Sequence, residues 1–420
     1  MLLPCVLYCS NGLPCQSDYT VSPIPLSLYL HFPWCVSKCP YCDFNSHGLS
    51  KDLPEVQYLN ALRYDLESQL NSKGPLLIGA PNNFLQGRMI ETIFMGGGTP
   101  SLFTPASIAH VLEMISEFLP IAANAEITLE ANPGTIERGR FSEYAAVGIN
   151  RISLGAQTFN TAALKTLGRI HSPYETHQAV AQLHAAGLSN FNIDLMYGLP
   201  KQDAAGALHD VRSAIALQPA QVSHYHLTME PGTVFAAQPP KELPEDDTVE
   251  LMLEQCQQAL AEAGYQRYEI SAYSKPHKQC AHNLNYWQFG DYLGVGAGAH
   301  GKLSWRDPEG GGLIIRRTNQ IREPRRYLHK PSAHLRVLEV PIIQRPFEFM
   351  LNALRLLGGV ERNLFESRTG VVWQSISSQL NSLAERGCLE IPALQSGILR
   401  PTARGIAFLN DLLLPFLPSR

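Results

Sequence analysis

The chain has 420 residues, 45% of them hydrophobic and 17% charged, which allows one large domain and one or two smaller ones. Lys and Arg total 33 against 37 Asp and Glu, a net charge of -4, so no basic field points to nucleic acid. No apolar run reaches the roughly 18 residues needed to span a bilayer. The opening MLLPCVLYCSNGLPCQ is apolar but lacks a basic stretch and is cut by Pro4 and Pro14, so it makes a poor signal peptide and the expected location is the cytoplasm. Nine cysteines, an odd number scattered through a large chain, argue against a disulfide framework. Cys5 and Cys9 have a CxxxC spacing with Cys15 beyond, but no fitting third cysteine follows and no strand precedes them. Residues 1–22 therefore read as a loosely ordered extension.

Leu26 to Phe32 reads as a strand, followed by Cys35, Cys39 and Cys42 in a loop that Pro33 and Pro40 keep irregular. Pro54 to Leu70 has a broad helical stripe of Val56, Tyr58, Leu59, Leu62, Tyr64, Leu66 and Leu70. Strands and helices then alternate. Ile90 to Met95 is a strand, and Pro105 to Phe118 a helix with Thr104 as its N-cap. Strand Glu126 to Leu129, helix Thr135 to Ala146, strand Arg151 to Leu154 and helix Tyr174 to Ala186 follow. Strand Asn192 to Met196, helix Ala204 to Leu217 and strand Gln221 to Leu227 complete the series.

Repeated βα units predict a parallel sheet with right-handed crossovers, either open or a partial barrel, with its site at the carboxyl ends of the strands. The run QPPKELPEDD, Gln238 to Asp247, marks a boundary. Helix Thr248 to Ala263 and a β-like segment Tyr265 to Tyr273 come next. Gly290 to Gly301 and Arg316 to Pro331 read as loop and connector. From Pro346 onward, three helical patterns and a short β-like Cys388 to Ile391 suggest a small mostly α domain without a basic recognition helix.

CxxxCxxC suits a [4Fe-4S] cluster. Four irons usually take four thiolates, so three leave one iron open for chemistry. A zinc site would need a fourth ligand, for which His31 and His47 are the local candidates. A redox disulfide would need CxxC in a thioredoxin-like setting. Downstream, consecutive glycines in MGGGTPS, Met95 to Ser101, permit close backbone approach to a small polar ligand, or simply a tight turn. Glu130, at a strand end in LEANPGT, can accept from ribose hydroxyls or cap a helix. Gln157 ends another strand. Arg169 suits a carboxylate partner, and Asp194 lies in an apolar strand where a charge needs a partner. In His282 to Trp287, HNLNYW, an imidazole that can ligate a metal stands near two aromatic rings, Tyr286 and Trp287, that can stack on a flat ligand. Cys280 is a competing thiolate and His300 a weaker candidate.

The run LYLHFPWCVSKCPYCDF resembles the cluster loop of the radical S-adenosylmethionine superfamily, in the branch of oxygen-independent coproporphyrinogen III dehydrogenases and related heme chaperones. The resemblance implies an α/β fold: a partial (β/α)6 TIM-like barrel with a radical SAM core, then a smaller mostly α C-terminal domain. Its expected bounds are 23–245 for the barrel, 246–335 for an extension carrying HNxxYW, and 336–420 for the last domain. It implies a cluster on Cys35, Cys39 and Cys42, with S-adenosylmethionine chelating the fourth iron. Tyr29, Gly97, Gly98, Thr99, Glu130, Gln157, Arg169, Asp194 and Thr228 correspond to contacts of that cofactor. Reductive cleavage of its sulfonium would give methionine and a 5′-deoxyadenosyl radical.

Two features bear on which branch member this resembles. The dehydrogenases carry a further cysteine where this chain has Phe44, and HNLNYW matches the HNxxYW motif of the heme chaperones. The latter implies heme contacts from His282, Asn283, Tyr286 and Trp287. The expectation is a cytoplasmic heme chaperone that passes heme to acceptors such as respiratory enzymes and takes electrons from a donor. The alternative is oxidative decarboxylation of coproporphyrinogen III. A homodimer and peripheral membrane encounters through the acceptors stay open.

Overall fold

The computed structural model describes residues 24–49, 52–134 and 140–418. The N-terminal extension with Cys5, Cys9 and Cys15 lies outside them, as does the expected helix start at Thr135. Six strands run in parallel in chain order: β1 (Leu26–Phe32), β2 (Ile90–Gly97), β3 (Ile121–Ala131), β4 (Arg151–Gln157), β5 (Phe191–Tyr197) and β6 (Gln221–His226). Between them lie helices α1 (Glu55–Leu70), α2 (Pro105–Phe118), α3 (Phe141–Ala146), α4 (Pro173–Ala185) and α5 (Ala204–Ala216).

Three of these helices, α2, α4 and α5, start where a side chain satisfies a first free N–H group. Thr104 accepts from Ser107 N at the head of α2, and Asp203 from Gly206 N at the head of α5. Ser172 and Glu175 form a reciprocal capping box on α4.

Alternation along each strand separates two environments. Leu28, Leu30, Ile93, Leu129, Ile152, Leu154, Ile193, Leu195 and Val222 are fully buried in the main core, with Leu62, Ile108, Ile115, Leu183 and Val211 from the helices. Burying one such side chain is worth roughly 1.5–3 kcal/mol. The residues between them face the barrel interior and form the site.

The expected stripe on α1 is corrected at two places. Val56 and Tyr64 are exposed, whereas Asp65 and Gln69 are buried. Asp65 accepts from Gly296 N at 3.0 Å, Gln320 Nε2 at 3.0 Å and the Tyr327 hydroxyl at 2.8 Å. A polar residue thus occupies the inner face because it ties α1 to a distant turn.

The larger correction concerns Gly290 to Gly301 and Arg316 to Pro331, read as loop and connector. After α6 (Asp246–Glu262), a short β7 (Ala272–Ser274) and α7 (Ala281–Trp287), the chain returns to the free side of β1. There β8 (Asp291–Val295) pairs with β1 in parallel, Leu28 opposite Leu293 and Leu30 opposite Val295. Antiparallel β9 (His300–Arg306), β10 (Leu313–Asn319) and β11 (Arg336–Glu339) extend the sheet. The glycines serve close approach. A Cβ at Gly294 would lie 1.8 Å from His300 O, and one at Gly296 would lie 2.4 Å from His31 O.

Helices Arg345–Ala353, Arg362–Thr369 and Ser377–Glu385 build a second core around Phe349, Phe365, Leu380 and Leu412. The expected β segment Cys388 to Ile391 reduces to a single bridge, Leu389 with Pro401. No helix among the described residues is long and apolar enough to cross a membrane.

Candidate functional site

The interior rows enclose a cavity of about 600 Å³, within the range of small-molecule sites. Strands covered on both faces normally carry near-continuous apolar runs. Here polar side chains alternate instead: Arg151, Ser153 and Gln157 on β4, Asn192 and Asp194 on β5, and Gln221, Ser223 and Tyr225 on β6, all lining the cavity. Tyr29, Phe94 and Glu130 continue the lining.

The cysteine loop borders this cavity. Cys35, Cys39 and Cys42 are free, half-buried thiols. The loop is folded back by His47 N donating to Pro33 O at 2.7 Å and Leu49 N to Cys35 O at 2.9 Å. Donors already reach the sulfurs. Arg169 Nη1 lies 3.8 Å from Cys39 Sγ, Ser46 Oγ lies 3.4 Å from Cys42 Sγ, and the Thr99 side chain bonds Cys35. Burial pushes the Cys35 thiol up to about 11, a penalty that coordination to iron would reverse by holding the thiolate.

Among the described residues no three His, Cys, Asp or Glu converge on a single ion. A four-iron cluster does not ask them to, because each thiolate meets a separate corner. His31 is engaged at both ring nitrogens, with the Tyr29 hydroxyl and Asn45 O each at 2.9 Å, and His47 Nε2 lies 3.2 Å from Asn45 Oδ1. His47 also bonds the Arg322 backbone, so both histidines are tied into the loop's own hydrogen bonds. Three thiols with nearby donors and no fourth protein ligand fit a cluster with one open iron.

Gly97, with φ of 112°, turns β2 over the loop, where a Cβ would meet the His31 ring at 2.4 Å. Gly98 N donates to Phe32 O at 2.7 Å and Thr99 N to Trp34 O at 2.8 Å. Gly97 N donates to Glu130 Oε2 at 3.0 Å. Arg169 is held by Asn132 Oδ1 and by Gly155 O at 2.7 Å, and Asn132 Nδ2 donates to Thr99 Oγ1 at 2.9 Å. Gln157 sits at a φ of 69°, unusual for a residue with a side chain, and its Oε1 accepts from Tyr225 at 2.7 Å.

Burial, then the charge of Asp194, raises Glu130 to about 8, against the opposing Gly97 N–H. Asp194 is also raised by burial, opposed by its bonds to Asn192, Ser223 and Ser153. Two such carboxylates in one cavity favour a cationic ligand.

HNLNYW lies on α7, against β2. Glu126 of β3 accepts from Ala281 N and His282 N, each at 3.1 Å, and Cys280 Sγ lies 3.5 Å away. His282 is 1% exposed, with its ring beside Phe94 and edge-on to Tyr286. Its Nδ1 lies 2.8 Å from Thr92 Oγ1, while Nε2 has no partner. Arg355 covers one face of Trp287 at 4.4 Å. Cys280 is wholly buried and its thiol pushed up to about 12, which disfavours it as a thiolate ligand.

The structure therefore gathers into one cavity Tyr29, Gly97, Gly98, Thr99, Glu130, Gln157, Arg169 and Asp194, the three cysteines, and His282, Asn283, Tyr286 and Trp287. Thr228 and His300 do not line it. Thr228 is exposed and donates to Glu230 Oε1 at 2.8 Å. Sequence reasoning missed Asn132, Arg151, Ser153, Asn192, Gln221 and Ser223. The signal was present as polar residues at period two in strands that a parallel sheet buries on both faces.

A parallel partial barrel with three thiols beside a polar, buried cavity is the arrangement of a radical S-adenosylmethionine protein. Residues 29–211 match the radical SAM superfamily, and residues 341–408 the HemN C-terminal domain. The heme chaperone HemW of Haemophilus influenzae is 46% identical over 393 residues, 94% of this chain and 98% of that protein. HemW of Escherichia coli is 46% identical over 398 residues, with the same shares covered. The chain belongs to the HemW family of the radical SAM superfamily. The solved coproporphyrinogen III oxidase HemN of Escherichia coli superposes with a TM-score of 0.74 at 22% identity, covering 94% of this chain and 90% of that one, a likeness of fold. Superfamily membership implies a [4Fe-4S] cluster and S-adenosylmethionine.

Proposed function

We propose that this protein is a heme chaperone that keeps a cluster and S-adenosylmethionine in the barrel and transfers heme to acceptor proteins, including respiratory enzymes. The observation that carries the reading is the meeting of α7 with the cysteine loop in one cavity. The family relatives named heme chaperones support it, as does Phe44, exposed beside the loop where a dehydrogenase would carry another cysteine.

In this reading Cys35, Cys39 and Cys42 would each hold one iron of the cluster. Tyr29, Gly97 to Thr99, Glu130, Gln157, Arg169 and Asp194 would hold the S-adenosylmethionine. When bound, that pair supplies one-electron chemistry at the sulfonium. The protein's part is orientation and exclusion of water. Arg169, held by Asn132, Gly155 O and Cys39, would offer its guanidinium to a carboxylate, Glu130 would offer an acceptor to ribose hydroxyls, and Asp194 would favour a cation. His282 offers an imidazole to heme iron, and Asn283, Tyr286 and Trp287 line the remainder of the heme contact.

The test is a paired assay on one anaerobically reconstituted sample. The expected result is heme binding and transfer to an apo-acceptor, with no protoporphyrinogen formed from coproporphyrinogen III. Accumulation of that product without heme transfer would reject the chaperone reading.

A further inference from the structure

Three elements meet on the Nδ1 edge of His282. Thr92 of β2 places Oγ1 at 2.8 Å from Nδ1 and donates its own hydrogen to Ser27 Oγ of β1 at 2.7 Å. Asn285, one turn along α7, donates Nδ2–H to the same Ser27 Oγ at 2.8 Å and to Asp291 O at 2.8 Å. All four side chains are buried. With its hydrogen committed to Ser27, Thr92 has only lone pairs to offer the ring. With that donation, Nδ1 carries the imidazole hydrogen and Nε2 keeps a bare lone pair.

That second nitrogen is buried and unpartnered, an uncommon condition for a polar atom. A metal-binding imidazole uses this division of labour, one nitrogen donating to a fixed acceptor and the other ligating. The Phe94 and Tyr286 rings flank His282 at centroid distances of 5.1 and 4.7 Å, and His282 itself lines the cavity.

We infer that Thr92, backed by Ser27 and Asn285, is a positioning residue that fixes His282 as the Nδ1–H tautomer and so presents Nε2 to heme iron. The inference rests on the heme-carrier reading above. It assigns a role to an interior residue of β2, outside the HNLNYW motif. It also gives Asn285, the motif's fourth residue, work distinct from touching heme.

Two measurements test it. In heme-free, histidine-labelled protein, long-range ¹H–¹⁵N correlation should show His282 with its hydrogen on Nδ1, the signal being assigned by its loss in His282→Gln. The Thr92→Val variant should show a mixed or Nε2–H state, and Thr92→Ser should restore the original. A wild-type hydrogen on Nε2 would overturn the inference.

In the second, hemin is titrated into reconstituted protein and followed by Soret absorption and the iron–histidine stretch. Thr92→Val should weaken binding about 10-fold and shift the stretch, with Thr92→Ser close to wild type. A wild-type stretch and affinity in Thr92→Val, alongside an altered spectrum in His282→Ala, would overturn the positioning role alone. A wild-type spectrum in His282→Ala would overturn the ligand reading and the inference with it.

Discussion

Replacing Glu130 with Gln removes a carboxylate whose pKa rises from 4.5 to about 8 through burial and the nearby Asp194. Because the folded value lies above the unfolded one, the native state holds a proton between those two pH values that the unfolded chain has released. Stability of the ligand-free protein should therefore fall with rising pH across that window, the contribution being complete below the unfolded value and lost above the folded one. At about 1.4 kcal/mol per unit, the full shift corresponds to a ceiling of ~5 kcal/mol. The carboxylate opens onto the cavity, where solvent screens it, so an effect of roughly 2 kcal/mol is expected. Urea unfolding of ligand-free wild type and Glu130→Gln at about pH 5 and about pH 8.5 measures the difference, with Asp194 common to both proteins. Parallel pH dependences would refute the reasoning. A cationic sulfonium in the site should lower this pKa, so binding S-adenosylmethionine near pH 7 should release a proton. Calorimetry in two buffers of different ionisation enthalpy reads that release directly.

Cys35→Ala should lose most of its reconstituted iron and sulfide, as should the equivalent changes at Cys39 and Cys42; full retention would remove that residue from the cluster. Arg169→Lys should weaken S-adenosylmethionine binding about 10-fold by calorimetry, since one ammonium cannot replace a planar fork that meets Asn132, Gly155 O and Cys39 Sγ together. Asp65→Ala strands the buried partners Gly296 N, Gln320 and Tyr327. It should cost about 3 kcal/mol in chemical denaturation, and an unchanged unfolding midpoint would deny that tie its structural importance.

The strands and caps of the barrel were legible because each element satisfies its own local rule. Thr104 before Pro105 caps α2 as expected, and β1 occupies the predicted span. The return to β1 was not legible. The glycines around β8 mark backbone crowding against His300 and His31, and in a sequence that need looks the same as a loop. At the site, residues carried by motifs were found, including Tyr29 and Asp194 inside their strands, whereas Arg151, Ser153, Asn192, Gln221 and Ser223, which belong to no motif, were not. Arg151 and Gln221 pair with each other at 2.9 Å across β5, which separates their strands, a relation invisible in either segment alone. Thr92 is equally mute in sequence, since one threonine in an apolar strand carries no chemistry until α7 is laid against it.

Helix α7 also explains how the C-terminal domain bears on a cavity it does not enclose. One side of the helix sends His282 and Asn285 to Thr92 and Ser27. The other side packs Leu284 and Trp287 on the second core, where Arg355 covers the indole. Glu126 caps the helix while lying 3.8 Å from Arg151 Nε of the cavity lining. Leu357 N, from the C-terminal domain, donates to Tyr268 O at 3.1 Å, and the Tyr268 hydroxyl lies 3.4 Å from Gln221 Oε1, another lining group. The domain therefore holds the helix from behind while the barrel holds it in front. A seven-residue helix is too short to persist without such support, so the position of the HNLNYW side chains depends on both cores at once.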